Sequence, residues 1–376
     1  MKSRAWVVFV ILAFAAVSTI SAAEAPVVRL TVLNSMERIG QDQEPYGPAE
    51  ANIAAARNEW ESFQVVVGTS GENIQVTGAE ISDLTGPNGA KISKEQVTLY
   101  REEYVRVRKS TPRAELPPGL HADPLVPFVN PITGELIEPR RRVQERWGGP
   151  SKTLGHDMVG VPFEVFRGQN QPIWVDLHVP KDAPAGDYRG TFRVRIREKG
   201  ALEIPVVLTV WNFTLPDRPT HGNHFGNFRN VARFFDVDPA SDRFREIEMR
   251  YCRAMVEHRL NPPIPTYLLP EVNQDGSLAI APERHEALKK YLAEMHVSEF
   301  EVPRAPFARL SVAATGTDYA TIPPQEREKA LRYYRGYFDY LKQNGWQEGA
   351  FVYLWDEPNL KENYEQVLVL GQLVHE

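Results

Sequence analysis

The stretch Phe351-Val352-Tyr353-Leu354-Trp355-Asp356-Glu357-Pro358-Asn359 decides how the second half of this chain is read. Five consecutive apolar residues, rich in aromatic and β-branched types, predict a short buried strand over Phe351–Trp355. Pro358 has no N–H to continue a ladder, so the strand ends at two adjacent carboxylates, Asp356 and Glu357. Asn359 and Glu362 then predict a capped helix start, with Tyr364, Val367 and Leu368 on the helix's apolar stripe. Two readings fit the acid pair. In one, it closes a strand and places negative charge at a helix N-terminus. In the other, it sits where an α/β barrel carries its chemistry, at the carboxyl end of a strand.

Working backwards, the same grammar recurs. Short candidate strands at His224–Phe228, Ile264–Leu269 and Phe300–Pro303 alternate with helical stripes. The first stripe is Phe244, Ile247, Tyr251, Met255 and His258; the second is Leu288, Tyr291, Leu292 and Met295. A third, Leu331, Tyr334, Phe338 and Leu341, is opened by Pro323-Pro324 and closed by Gly345. Strand followed by helix, four times, predicts parallel βα units. Four such units make half of an eightfold barrel. The expectation is therefore that the sequence represents part of a longer protein, with an open four-stranded sheet as the alternative.

From Val27 to about Leu215 the period is two. Phe63, Val65 and Val67 share one face, and Ile173, Val175, Leu177 and Val179 share another, opposite Asp176 and His178. Phe192, Val194 and Ile196, then Ile204, Val206, Leu208 and Val210, repeat the alternation. Antiparallel sheets with one buried and one wet face are expected, arranged as a β-sandwich. The turn Pro180–Gly186 links two of the strands. Ser110–Gly160 is dense in Pro, Gly and Arg without a period and reads as loop, with His156-Asp157 at its surface. Asn212-Phe213-Thr214 matches a glycosylation acceptor but falls within a strand-like run.

The N-terminus reads as a secretory signal: Lys2 and Arg4, an apolar run from Ala5 to Ile20, and a small-residue cleavage site after Ala23. A secreted or periplasmic protein without a membrane span after cleavage is expected. The expected organisation is 1–23 signal peptide, 24–215 β-sandwich and 216–376 the N-terminal half of a (β/α)8 barrel. Removing residues 1–23 leaves 41 basic and 49 acidic residues, a net charge of −8. Scattered signs on a moderately acidic chain exclude an electrostatic footprint for nucleic acid. Cys252 is the single cysteine, so no internal disulfide forms. Its apolar neighbours favour an inert core thiol. No His, Cys or acid cluster has metal-ligand spacing, so no metal is expected.

Several segments together resemble glycoside hydrolase family 123 and its uncharacterised bacterial relatives. They are Arg57–Gln64, Ile173–Gly190, Glu257-His258-Arg259 and, most specifically, Tyr353-Leu-Trp-Asp356-Glu357-Pro358. The resemblance implies a β-sandwich followed by a (β/α)8 barrel, and a carbohydrate substrate (glycan or glycolipid) carrying β-linked N-acetylgalactosamine. It further implies cleavage assisted by the substrate's own 2-acetamido oxygen, without metal or organic cofactor. Carried over, Glu357 is the general acid/base and Asp356 orients the acetamido group. Trp355 and Tyr267 are candidates for stacking on a sugar face, and His258 and Arg259 for further substrate contacts. Two alternatives stay open: a carbohydrate-binding surface protein without catalysis, and a glycosidase of other specificity whose second carboxylate lies outside this sequence.

Overall fold

The structure is a computed structural model and describes residues 28–114, 117–129, 142–143, 152–153, 159–226, 228, 231–235, 237–307 and 322–376. The expected signal segment and His156-Asp157 lie outside the described residues.

The first part of the chain builds two sheets. One orders its strands Val28–Asn34, Glu59–Thr69, Asn170–Val179, Val97–Val107 and Gly119–Pro127, all antiparallel. The other runs Phe163–Val165, Ile74–Ile81, Gly186–Ile196, Gly200–Thr214 and Ala51–Arg57, antiparallel except for its last pair. Their inner faces share one core. Phe63, Val65, Val67, Ile173, Val175 and Leu177 of the first sheet meet Val76, Phe192, Val194, Val206 and Leu208 of the second. The alternation read from sequence therefore marks the buried face in each strand, because successive side chains point to opposite sides.

The Pro180–Gly186 turn does more than connect neighbours, since its two strands belong to different sheets. Tyr188, fully buried, pins the turn by donating to the Pro184 carbonyl at 2.9 Å. The Ser110–Gly160 segment is not all loop: Gly119–Pro127 pairs with Val97–Val107. Its prolines did not prevent this because an edge strand needs fewer donors. Asn212 lies in the Gly200–Thr214 strand, where its Oδ1 accepts from Arg57.

After Thr214 helices dominate: Asp242–Glu257, Pro282–Glu294, Pro324–Gln343 and Lys361–His375. Proline occupies the first position of the second and third, where a missing N–H costs nothing. Gly345, at φ +69°, follows the third as expected. The buried faces, however, are rotated from the predicted stripes. Pro324–Gln343 buries Ala330, Tyr333, Tyr337, Tyr340 and Leu341 and exposes Phe338. Asp242–Glu257 buries Phe244, Ile247, Glu248 and Cys252, leaving Tyr251 exposed. Lys361–His375 buries Asn363, Gln366, Val369, Leu370 and Leu373, while Tyr364 and Leu368 face outward. This last helix starts one residue later than read, with Asn363 Oδ1 accepting from the Leu360 N–H at 3.1 Å. In Pro324–Gln343 tyrosine explains the rotation. Its ring buries like an apolar group while its hydroxyl finds a partner, as Tyr333 does on the Pro303 carbonyl at 2.6 Å.

Of the four expected strands, two form part of a ladder. Phe300–Glu301 pairs in parallel with Ala350–Phe351, extended by a Val302 N–H to Phe351 carbonyl bond of 2.8 Å. Close approach of the two segments requires Gly349, where a Cβ would lie 2.4 Å from the Ser298 carbonyl oxygen. The regular pairing ends there, and Pro306, on the same edge as the Val302 N–H, has no N–H to extend it. Neither the described residues of His224–Phe228 nor Ile264–Leu269 form the expected strand. Residues 224–226 are coil, with Gly226 at φ +68°. Pro262, Pro263, Pro265 and Pro270 strip donors from the second segment, which contains a 3-10 turn over Thr266–Leu268. After Thr214 the described residues thus contain one parallel pair rather than the four consecutive barrel strands anticipated.

Candidate functional site

The two parallel segments run in the same direction past their ladder, and polar side chains collect at that carboxyl end. From the first come Glu301 and Arg304, from the second Tyr353, Trp355, Asp356 and Glu357. Arg304 Nη1 donates to the Leu354 carbonyl at 2.9 Å and ties the segments together. The Ala305 N–H donates to the Tyr334 hydroxyl at 3.1 Å, which anchors the first segment to the Pro324–Gln343 helix.

Between them lies a cleft of about 580 Å³. Glu301, Arg304, Tyr334 and Trp355 line it, with Leu370 and Leu373 of the last helix among its apolar residues. An aromatic side chain beside charged and phenolic groups suits a polar ligand with flat apolar faces.

Asp356 and Glu357 are both exposed at the turn following the strand. Glu357 has φ +45°, a left-handed conformation that costs a non-glycine residue roughly 1–2 kcal/mol. Pro358 follows it, and the chain bends at Asp356. Tyr353 donates its hydroxyl to Asp356 Oδ1 at 2.8 Å. That bond, followed by desolvation and the charges of Asp356, Glu357 and Glu301, holds the Tyr353 phenol above its ordinary range. Three carboxylates therefore act on one phenol.

A histidine completes the cluster. His224 Nε2 lies 3.2 Å from Glu301 Oε2. Its ring meets Phe351 edge-on at 5.3 Å and Tyr353 at 5.9 Å. Glu301, His224, Tyr353 and Arg304 were not singled out from sequence. Glu301 and Tyr353 sat within predicted strands and could have been flagged as polar residues at strand ends. His224 carried no local signal, because its partners are more than 75 positions away.

The other sequence-derived candidates lie elsewhere. Tyr267 packs beside the helical core with the Arg245 guanidinium 4.8 Å from its ring centroid, and does not line the cleft. His258 and Arg259, read as substrate contacts, instead join the helical part to the sheets. His258 Nε2 is 3.0 Å from Asp176 Oδ2, and its ring stacks on Trp60 at 5.0 Å. Arg259, at φ +61°, donates to the carbonyls of Pro216 and Asn58, the latter at 3.0 Å. A second cleft of about 350 Å³ at this joint is lined by Asn58, Trp60, His178, Asp217 and Arg259, among others. Cys252 is fully buried, and burial pushes its thiol up to about 11, which leaves no nucleophile there. Among the described residues no group of His, Cys, Asp and Glu is arranged to hold a metal ion. No helix among them is long and apolar enough to cross a membrane.

No family model matches the chain, and no curated protein matches it. Among solved structures it is similar to a family 123 glycoside hydrolase from Clostridium perfringens, studied for glycolipid glycan hydrolysis. The TM-score is 0.56 at 12% identity, covering 93% of this chain. The match extends over 62% of that hydrolase, so this chain spans less than two thirds of its length. At that identity the likeness concerns the fold. Weaker similarities are to a sporulation control protein from Bacillus subtilis (TM-score 0.22, 9% identity, 50% of each chain) and to aggregative adherence fimbriae of enteroaggregative Escherichia coli (TM-score 0.21, 9% identity, 49% of this chain and 99% of that one).

Proposed function

We propose that the protein is an exported glycoside hydrolase that cleaves β-linked N-acetylhexosamine, N-acetylgalactosamine above all, by a substrate-assisted retaining mechanism. The observation that carries this reading is the Asp356-Glu357 pair, five residues past the end of a parallel strand and next in sequence to Trp355, which lines a cleft, in a chain whose fold resembles a glycoside hydrolase. Residues 24–215 serve as scaffold, and residues 216–376 carry the site as part of a barrel-type unit.

In this mechanism the sugar's acetamido oxygen attacks C1 and forms a bicyclic intermediate while the leaving oxygen takes a proton. Glu357 donates that proton and later removes one from the attacking water. Asp356 accepts from the acetamido N–H and aligns its oxygen for attack. Adjacent carboxylates suit this division, because neither has to reach C1 from the opposite face as a protein nucleophile does. Trp355 offers an apolar face to the sugar ring. A second reading, a glycan-binding protein without hydrolysis, draws on the exposure of both carboxylates, since general acids are more often partly buried.

The decisive experiment offers the full chain an aryl N-acetyl-β-galactosaminide and the matching 2-hydroxy galactoside. Cleavage of the first alone, with inhibition by a thiazoline mimic of the cyclised intermediate, supports the mechanism. Equal cleavage of both removes substrate assistance. Binding without cleavage selects the second reading.

A further inference from the structure

We propose that Tyr353 is a positioning residue, which fixes the carboxylate of Asp356 through its hydroxyl and is itself held in place by the His224–Glu301 pair. The catalytic part of this inference rests on the hydrolase reading above. The contact itself does not.

An exposed aspartate at a bend samples several side-chain orientations, and an orienting group is effective only when its geometry is fixed. Tyr353 stands three residues upstream on the same segment and donates to Asp356 Oδ1 at 2.8 Å, a charge-assisted bond. With Oδ1 engaged, Oδ2 is the oxygen available to a ligand N–H. The phenol is a rigid plane, and the neighbouring ring of His224 limits its rotation. His224 is fixed in turn by Glu301 Oε2 at 3.2 Å and by the edge of Phe351. Three segments, the 221–226 loop and the two parallel strands, therefore converge on the orientation of one carboxylate.

The phenol is a poor candidate for proton donor. Its hydrogen bond to Asp356 and the surrounding carboxylates hold its proton more tightly than in a free phenol. That leaves alignment as its contribution. It also separates Tyr353 from Glu357 experimentally, because Asp356 acts at the acetamido group and not at the leaving oxygen.

Two measurements on the full chain test this. In the first, tyrosines carrying ¹³C at Cζ are titrated by NMR, with the Tyr353 signal assigned by its absence from Tyr353→Phe. Tyr353 is expected to titrate above the ordinary phenol range and to fall back towards it in Asp356→Ala. An unchanged titration in Asp356→Ala overturns the contact. In the second, Tyr353→Phe keeps the ring and its packing on His224 but removes the donor. Its kcat is expected to fall about 10- to 100-fold with KM within about twofold. The loss should be the same for good and poor aryl leaving groups. An unchanged kcat in an active wild-type background overturns the positioning role while leaving the hydrolase reading intact. A loss that grows as the leaving group worsens also overturns it, by assigning Tyr353 to proton transfer. A wild-type chain that cleaves no N-acetylhexosaminide overturns the hydrolase reading and the catalytic role together, whatever the NMR titration shows of the contact.

Discussion

His258 Nε2 and Asp176 Oδ2 stand 3.0 Å apart and join the end of a helix to the outer face of a sheet across 82 positions of sequence. Asp176 is almost wholly buried and also accepts from Ser62 Oγ at 2.7 Å, so its carboxylate is well fixed. The hydrogen bond to Asp176 raises the His258 pKa above its ordinary value. Desolvation opposes that, while the Ala254 carbonyl and the charges of Asp176 and Glu257 add to it.

A folded-state pKa raised above the unfolded value means that the folded protein holds the His258 proton more tightly. The contribution is complete below about 6.5, the unfolded value, and is lost as pH rises through the higher folded one. Urea unfolding at pH 5.5, 7 and 8.5 should therefore show wild type ahead of Asp176→Asn at low pH, with the gap closing as pH rises. A gap that is constant across this range would falsify the pairing.

Arg259 is the second fastener of the same joint. Its side chain reaches the Pro216 and Asn58 carbonyls, on either side of the point where the chain leaves the sheets. Truncation in Arg259→Ala leaves both acceptors without that partner, a loss of about 1.5–3 kcal/mol if the bonds keep their charge-assisted strength. Limited proteolysis should cut near 215–222 sooner than in wild type and release a resistant fragment of the two sheets. Cutting at the wild-type rate would show that other contacts carry the joint.

Glu102 is a buried carboxyl in the Val97–Val107 strand, 3% exposed, with Oε1 lacking a hydrogen-bond partner. Desolvation pushes it up to about 7, against the opposing charge of Arg38. Here too the folded pKa lies above the unfolded one, so stability is greatest below about 4.5 and declines as pH rises to 7. Glu102→Gln removes the charged form at all pH values. It should match wild type near pH 4.5 and exceed it at pH 8, by up to about 3 kcal/mol in urea unfolding. Absence of a gain at pH 8 would mean that the carboxylate finds a partner there.

Glu357→Gln tests the acid directly. Removing a general acid typically lowers rate by ~10²–10⁴. The loss should be large for a poor leaving group and small for an activated aryl glycoside, which needs little protonation. Equal losses on both substrates would take Glu357 out of the acid role.

The sequence alone determined what depends on local period and on residues with few options. Val65, Val175, Val194 and Val206 were legible as core because a strand alternates faces and each face sees one environment. The helix start at Pro324 was legible because proline tolerates little else. Other features required the folded chain. Helical period narrows the buried face to within about one residue, and the fit of neighbouring side chains chose Tyr333 and Tyr337 over Tyr334 and Phe338. Pairing depends equally on the partner, and a strand that looked continuous through Trp355 is paired only as far as Phe351. Tertiary structure alone brought His224 to Glu301 and Tyr353, and His258 to Asp176 rather than to the cleft. Side-chain hydrogen bonds between distant segments leave no periodic trace, because a polar residue facing a ligand and one facing a distant carboxylate look alike in sequence.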